Sequence, residues 1–139
     1  MTPELINRLG AQAVVRQFLR FLLVGGGCTV LQYLVMYLMI KWRGLDFALA
    51  SNIGYLAGAV VNYSINRVFT FESETAYGRG LLKFILLVLV ALVLNYTIVR
   101  ILTTQFRVHV VIAQILATGT TLFWNFFGSR LFVFPDAKR

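Results

Sequence analysis

Four stretches of this chain carry no charged side chain: Phe21–Ile40, Phe47–Asn66, Phe84–Val99 and Val110–Ser129. A helix needs about 20 apolar residues to cross a hydrocarbon core roughly 30 Å thick, where the backbone has no water to bond with. Three of the stretches have that length. The third has 16 residues and reaches it by running on to about Leu102, with Arg100 turned toward the interface. Hydrophobic residues make up 59% of the chain, far from a soluble composition. An outer-membrane barrel would show shorter, alternating segments instead. The predicted fold class is therefore an all-α integral membrane protein with four transmembrane helices, spanning about 21–40, 47–66, 83–102 and 109–129. A membrane domain over 18–134 is then flanked by a segment at 1–17 and a tail at 135–139. The first span is longer than a signal-peptide core, and Met39-Ile40-Lys41-Trp42 offers no small-residue cleavage site, so it is read as a retained helix. Cys28 is alone inside that span, which leaves no disulfide framework and no thiol metal site.

The chain also resembles itself. Asn62–Phe71 reads N-Y-S-I-N-R-V-F-T-F and Asn125–Phe134 reads N-F-F-G-S-R-L-F-V-F, 63 residues apart. The same offset pairs Arg20-Phe21 with Lys83-Phe84, Gln32-Tyr33 with Asn95-Tyr96, and Ala50/Gly54/Gly58 with Ala113/Ala117/Thr121. A fixed period of this kind points to a duplicated two-helix unit. Two spans per copy make the copies parallel, related by an axis along the membrane normal.

Charge sets the expected orientation. Of 13 Lys and Arg, nine lie before the first span, in the middle loop or in the tail: Arg8, Arg16, Arg20, Arg67, Arg79, Lys83, Arg130, Lys138 and Arg139. Lys41, Arg43, Arg100 and Arg107 occupy the other side. The positive-inside rule then places both termini and the 67–83 loop in the cytoplasm. The net charge of +8 is assigned to the membrane surface and its anionic lipids, with no nucleic-acid partner expected. A homo-oligomer built from such a chain would be parallel.

Polar residues recur at helical spacing. Asn52, Tyr55, Ala59, Asn62 and Asn66 stack on one face of the second span, and Gln114, Thr118, Thr121, Asn125 and Ser129 do so on the fourth. Gln32 and Asn95 place one amide in the middle of the first and third spans. Ala50, Gly54 and Gly58, with Ala113 and Ala117, form small-residue ridges suited to close helix packing. Amides in hydrocarbon need partners, so they either bond between helices or line a groove that exchanges hydrogen bonds with sugar hydroxyls. The expected groove set is Gln32, Asn52, Tyr55, Asn62, Asn66, Asn95, Gln114, Thr118 and Asn125.

All five acids (Glu4, Asp46, Glu72, Glu74 and Asp136) lie outside the spans, which argues against a proton- or sodium-coupled carrier and against a drug exporter. No carboxylate or His cluster is present to hold a metal or act as a base, so the chain is expected to be no enzyme and to need no cofactor or metal. At the cytoplasmic ends, Arg20, Lys83, Arg67 and Arg130 form the expected phosphate-binding set. Arg20 and Lys83 are placed there at helix N-termini, where free N–H groups favour anions. Gly25-Gly26-Gly27 follows Arg20 and would allow close approach to the backbone. Phe69, Phe71, Phe132 and Phe134 fit an interfacial aromatic belt.

Three segments resemble the GtrA-like family of small bacterial four-span proteins. Arg20-Phe21-Leu22-Leu23-Val24-Gly25 is similar to its opening motif, Asn62–Phe71 to its Asn-Phe-x-x-Asn-Arg-x-Trp-x-Phe motif, and Arg130-Leu131-Phe132-Val133-Phe134 to its closing Arg-x-Trp-Val-Phe. Phe69 and Phe132 stand where the family often has Trp, and Tyr63 where Phe is usual. The resemblance implies a multi-pass protein of the bacterial inner membrane that flips a polyprenyl-phosphate-linked monosaccharide for periplasmic glycosylation of cell-surface polysaccharide. The phosphate would dock on the four basic residues and the sugar would follow the amide stripes. The alternative is a non-enzymatic partner that recruits or stabilises a membrane glycosyltransferase through the Gly54/Gly58 ridge.

Overall fold

The computed structural model describes residues 3–137, with side chains at all of these except residues 3, 5–7, 48 and 52. The expected groove residue Asn52 thus falls outside the described side chains, and Lys138 and Arg139 outside the described residues. All regular structure among the described residues is helical: α1 (Pro3–Arg43), α2 (Phe47–Ile65), α3 (Tyr77–Thr104) and α4 (Val110–Gly128). A five-residue π turn extends α2 over Asn66–Thr70, and another extends α4 over Ser129–Val133.

Helix α1 starts well before the first apolar run, because Arg8, Arg16 and Arg20 interrupt the hydropathy and not the helix, Arg being a strong helix former. Its 41 residues extend about 60 Å at 1.5 Å per residue, roughly twice a hydrocarbon core. Among the described residues, three stretches are long and apolar enough to cross a membrane: Arg8–Arg43, Tyr77–Thr104 and Val110–Val133. Helix α2 is not among them, since Ser51, Asn52, Gly54, Gly58, Asn62 and Ser64 dilute its apolar content. Leu23, Val30, Val93 and Ile115 are each 65–70% exposed. Apolar side chains turned outward on this scale suit a lipid surround, and the chain is a membrane protein with transmembrane helices.

The chain divides into two compact units, one ending at Ser73 and one spanning Glu74–Asp136. In the first, α1 and α2 form an antiparallel hairpin. A Cβ on Gly58 would lie 3.1 Å from the Cys28 carbonyl, one on Gly54 would drive into the Gln32 carbonyl, and one on Gly25 would lie 4.0 Å from the Asn62 amide. The small ridge predicted from sequence therefore seats α2 directly on the backbone of α1, with Ala50 wholly buried. That contact occupies the face through which a glycosyltransferase partner was expected to dock.

In the second unit α4 packs on α3. Trp124 donates its indole N–H to the Leu87 carbonyl at 3.2 Å, and Gly128 lies against the Leu87 side chain. Ala113 and Ala117 are fully buried.

Local devices recur at the 63-residue offset. The chain leaves α1 through Gly44 (φ 63°) and leaves α3 shortly before Arg107 (φ 53°), both left-handed. Asp46 then caps α2 by accepting from the Leu49 N–H at 3.1 Å, and His109 caps α4 by accepting from the Val111 N–H at 3.4 Å. The π turns close with the Phe71 N–H on the Asn66 carbonyl (2.9 Å) and the Phe134 N–H on the Ser129 carbonyl (2.8 Å).

Gly54→Ala is expected to lower thermal stability in detergent by about 1–3 kcal/mol, because the added methyl meets backbone. Gly26→Ala, where a Cβ meets nothing within 4 Å, should leave stability unchanged or raised by up to about 1 kcal/mol through helix propensity. Equal melting temperatures for the two variants would remove the close helix contact.

Candidate functional site

The most polar part of each unit lies where its second helix widens into a π turn. The last carbonyls of a helix have no partner within it, and one is met here by a cation from the preceding helix. Arg20 of α1 donates to the Phe69 carbonyl at 3.0 Å and sits 4.9 Å over the Phe69 ring. Lys83 of α3 donates to the Phe132 carbonyl at 3.2 Å and sits 5.1 Å over the Phe132 ring. Each cation thus acts on a peptide oxygen and on the negative face of an aromatic ring.

This corrects the expected placement of Arg20 and Lys83 at helix N-termini. Helix α1 begins at Pro3 and α3 at Tyr77, so both residues lie inside helices whose N–H groups are already bonded. It also adds a role for Phe69 and Phe132, which the sequence placed in an aromatic belt. The available signal was the 49-residue spacing of Arg20–Phe69 and Lys83–Phe132.

The two cations differ in their counter-charge. Glu72, itself left-handed at φ 47°, brings its carboxylate to 3.2 Å from Arg20. Pro135 stands at the equivalent position in the second unit, and Lys83 has no carboxylate partner among the described residues. Arg67 and Arg130 occupy the second position of their π turns, both half-buried and both engaged with neighbouring groups.

The amide stripes also diverge. In the first unit Thr70 donates to the Asn66 side chain at 2.6 Å, and Asn66 donates to Asn62 at 2.8 Å. Asn66 and Thr70 are each 1% exposed, so this ladder is sealed and internally satisfied. In the second unit Ser129 and Val133 replace Asn66 and Thr70. Ser129 is too short to bridge the turns and Val133 has no hydroxyl, so the ladder is lost, and the buried Asn125 Oδ1 and Ser129 Oγ have no hydrogen-bond partner among the described residues. A buried polar atom left unpaired costs about 1–3 kcal/mol.

Toward the opposite ends of the helices, Gln32 is half-buried against Gly54 and Gly58, and Tyr55 is exposed. Thr118 accepts from the Gln114 amide at 3.1 Å. Asn95 and Gln114 come together in a cavity of about 380 Å³ between α3 and α4, lined also by Leu92, Tyr96, Val99 and Arg100. The sequence had placed Arg100 only as an interfacial anchor.

Comparison with known proteins agrees with this architecture. The family described as GtrA/DPMS, transmembrane domain, matches residues 20–134. The chain is 27% identical over 121 residues to the uncharacterized membrane protein YngA of Bacillus subtilis, covering 86% of this chain and 80% of that protein. It is 21% identical over 122 residues to the uncharacterized membrane protein YwcD of the same organism, covering 85% and 96% respectively. No solved structure matches.

Asn66→Ala should lower stability by about 2 kcal/mol, since it strips partners from Asn62 and Thr70. Ser129→Ala removes an unpaired hydroxyl and should leave stability unchanged or improved. Chemical unfolding of both variants in detergent checks the pair, and a larger loss for Ser129→Ala would contradict the broken ladder.

Proposed function

The chain belongs to the GtrA/DPMS transmembrane-domain family, and from that premise we propose that it flips a polyprenyl-phosphate-linked monosaccharide across the bacterial inner membrane. The family is linked in general to polyprenyl-phosphate sugar flipping and is regarded as non-catalytic. In this reading α2 supplies a fourth crossing, the two units are parallel copies, and both termini face the cytoplasm, where Arg and Lys are most numerous. Periplasmic glycosylation of surface polysaccharide consumes the flipped sugar. A membrane glycosyltransferase and further copies of the chain in parallel are its expected protein partners.

The observation that carries the proposal is the recurrence of a cation–carbonyl–ring contact beside a π-turn arginine in both units. π turns inside helices are frequent at functional sites. Arg67 in the first unit and Arg130 in the second each present a guanidinium fork suited to a phosphate, and Lys83 adds to the second unit a charge that no described carboxylate cancels. Arg20 joins the set when the phosphate replaces Glu72. The polar positions above these turns (Gln32, Asn52, Tyr55, Asn62, Asn95, Gln114, Thr118 and Asn125) offer donors and acceptors to the sugar, while the prenyl chain stays in lipid. Asn66, sealed in its ladder, supports the turn from behind. No acid lies within the crossings, so flux follows synthesis on one side and consumption on the other.

Proteoliposomes holding a polyprenyl phosphate that bears one hexose test the proposal. Arg67→Ala/Arg130→Ala should reduce translocation at least about tenfold, the loss of roughly one charge-assisted bond, while the protein still folds. A folded double variant that translocates at the wild-type rate removes the phosphate site.

A further inference from the structure

The two units differ in the side chains placed between their paired helices. In the first unit Gly54 and Gly58 let α2 lie on the Gln32 and Cys28 carbonyls, and a Cβ at Gly54 would collide with that backbone. The second unit has Ala117 and Thr121 at the equivalent positions. These carry Cβ atoms, which the backbone contact at Gly54 in the first unit does not admit. Between α3 and α4 an open cavity of about 380 Å³ is lined by Leu92, Asn95, Tyr96, Val99, Arg100 and Gln114. Its size falls in the range of small-molecule sites, and it combines an apolar wall with a few convergent polar groups.

We propose that this α3–α4 cavity is a second anion site, which holds a hydroxyl-bearing phosphate headgroup at the end of α3 remote from Lys83. Arg100 supplies the charge. One of its N–H groups is committed to the Tyr96 hydroxyl at 2.7 Å, which fixes the guanidinium over the cavity and leaves other donors for a phosphate oxygen. Asn95 makes no hydrogen bond with the described chain, and Gln114 uses its N–H₂ on Thr118 and keeps its carbonyl as an acceptor. An acyl chain cannot satisfy an amide, whereas hydroxyl groups both donate and accept. In the first unit Tyr37 replaces Arg100 and Ser51 replaces Gln114.

Lys83 and Arg100 stand 17 residues apart on one helix, about 25 Å at 1.5 Å per residue. That separation approaches the thickness of the hydrocarbon core, about 30 Å. The ligand chemistry has two sources, the lipid-linked sugar after it has crossed, or the headgroup of phosphatidylglycerol. The first source rests on the flippase reading and the second does not.

Native mass spectrometry of the full chain released from nanodiscs tests the site with three probes: phosphatidylglycerol, phosphatidylethanolamine, and a polyprenyl phosphate bearing one hexose. Arg100→Gln and Asn95→Leu should each lower retention of a hydroxyl-bearing probe about tenfold. Arg107→Gln, which removes a charge from the same unit outside the cavity, should change it less than about twofold. Melting temperatures of all three variants confirm that they remain folded. If Arg107→Gln costs as much as Arg100→Gln, or if neither cavity variant affects either hydroxyl-bearing probe, the site is overturned. Loss confined to phosphatidylglycerol assigns the cavity to bulk lipid, and loss confined to the hexose lipid assigns it to the cargo. The flippase reading fails separately, when hexose-lipid translocation is unaffected by Arg67→Ala/Arg130→Ala.

Discussion

A carbonyl at the end of a helix has lost its intrahelical donor, and in apolar surroundings no water replaces it. This chain meets that requirement with the preceding helix. Arg20 reaches the Phe69 oxygen, Lys83 reaches the Phe132 oxygen, and each cation also rests on the ring beside the carbonyl it binds. Because the donor sits at a defined height on α1 or α3, the contact fixes the register of each helix pair. Remove the donor, and the widened turn loses the partner that justifies its geometry.

From this shared frame the units diverge through few side chains. The first unit is closed at three levels: Gly54 and Gly58 bring its helices into backbone contact, Asn62, Asn66 and Thr70 bond to one another, and Glu72 neutralises Arg20. The second unit lacks each device. Ala117 and Thr121 stand in place of its glycines, Ser129 and Val133 break the ladder, and Pro135 stands where a carboxylate would be. The 63-residue offset supplies two comparable positions, and in the second of them the Asn125 Oδ1 and Ser129 Oγ keep unmet bonding capacity. Protein interiors seldom retain such groups without a use, since each costs about 1–3 kcal/mol when unpaired.

Several parts of the site were legible in the sequence for definite reasons. Small residues at spacing four mark a close helix contact, because only they let two backbones meet, and Gly54 and Gly58 make that contact. The Asn-to-Phe motifs announced matched helix ends, which the structure realises as π turns. The positions of Arg20 and Lys83 were misjudged for an equally physical reason. Hydropathy marks where the apolar run begins, whereas the helix continues through charged residues that favour it, so neither cation stands at an N-terminus. Asn66 read as a groove residue by its spacing, yet spacing alone does not distinguish a side chain that faces a ligand from one that bonds to the next turn.

The linear order of residues by itself determined a helical, lipid-facing chain whose key features return every 63 positions, because hydrophobic runs, caps and small-residue spacing are local properties written into consecutive residues. Tertiary structure alone decided which carbonyl each cation serves, which amides are satisfied and where a cavity opens. Those outcomes depend on close contacts between helices, such as the backbone approach that the missing Cβ of Gly54 permits, and no periodicity along the chain encodes them.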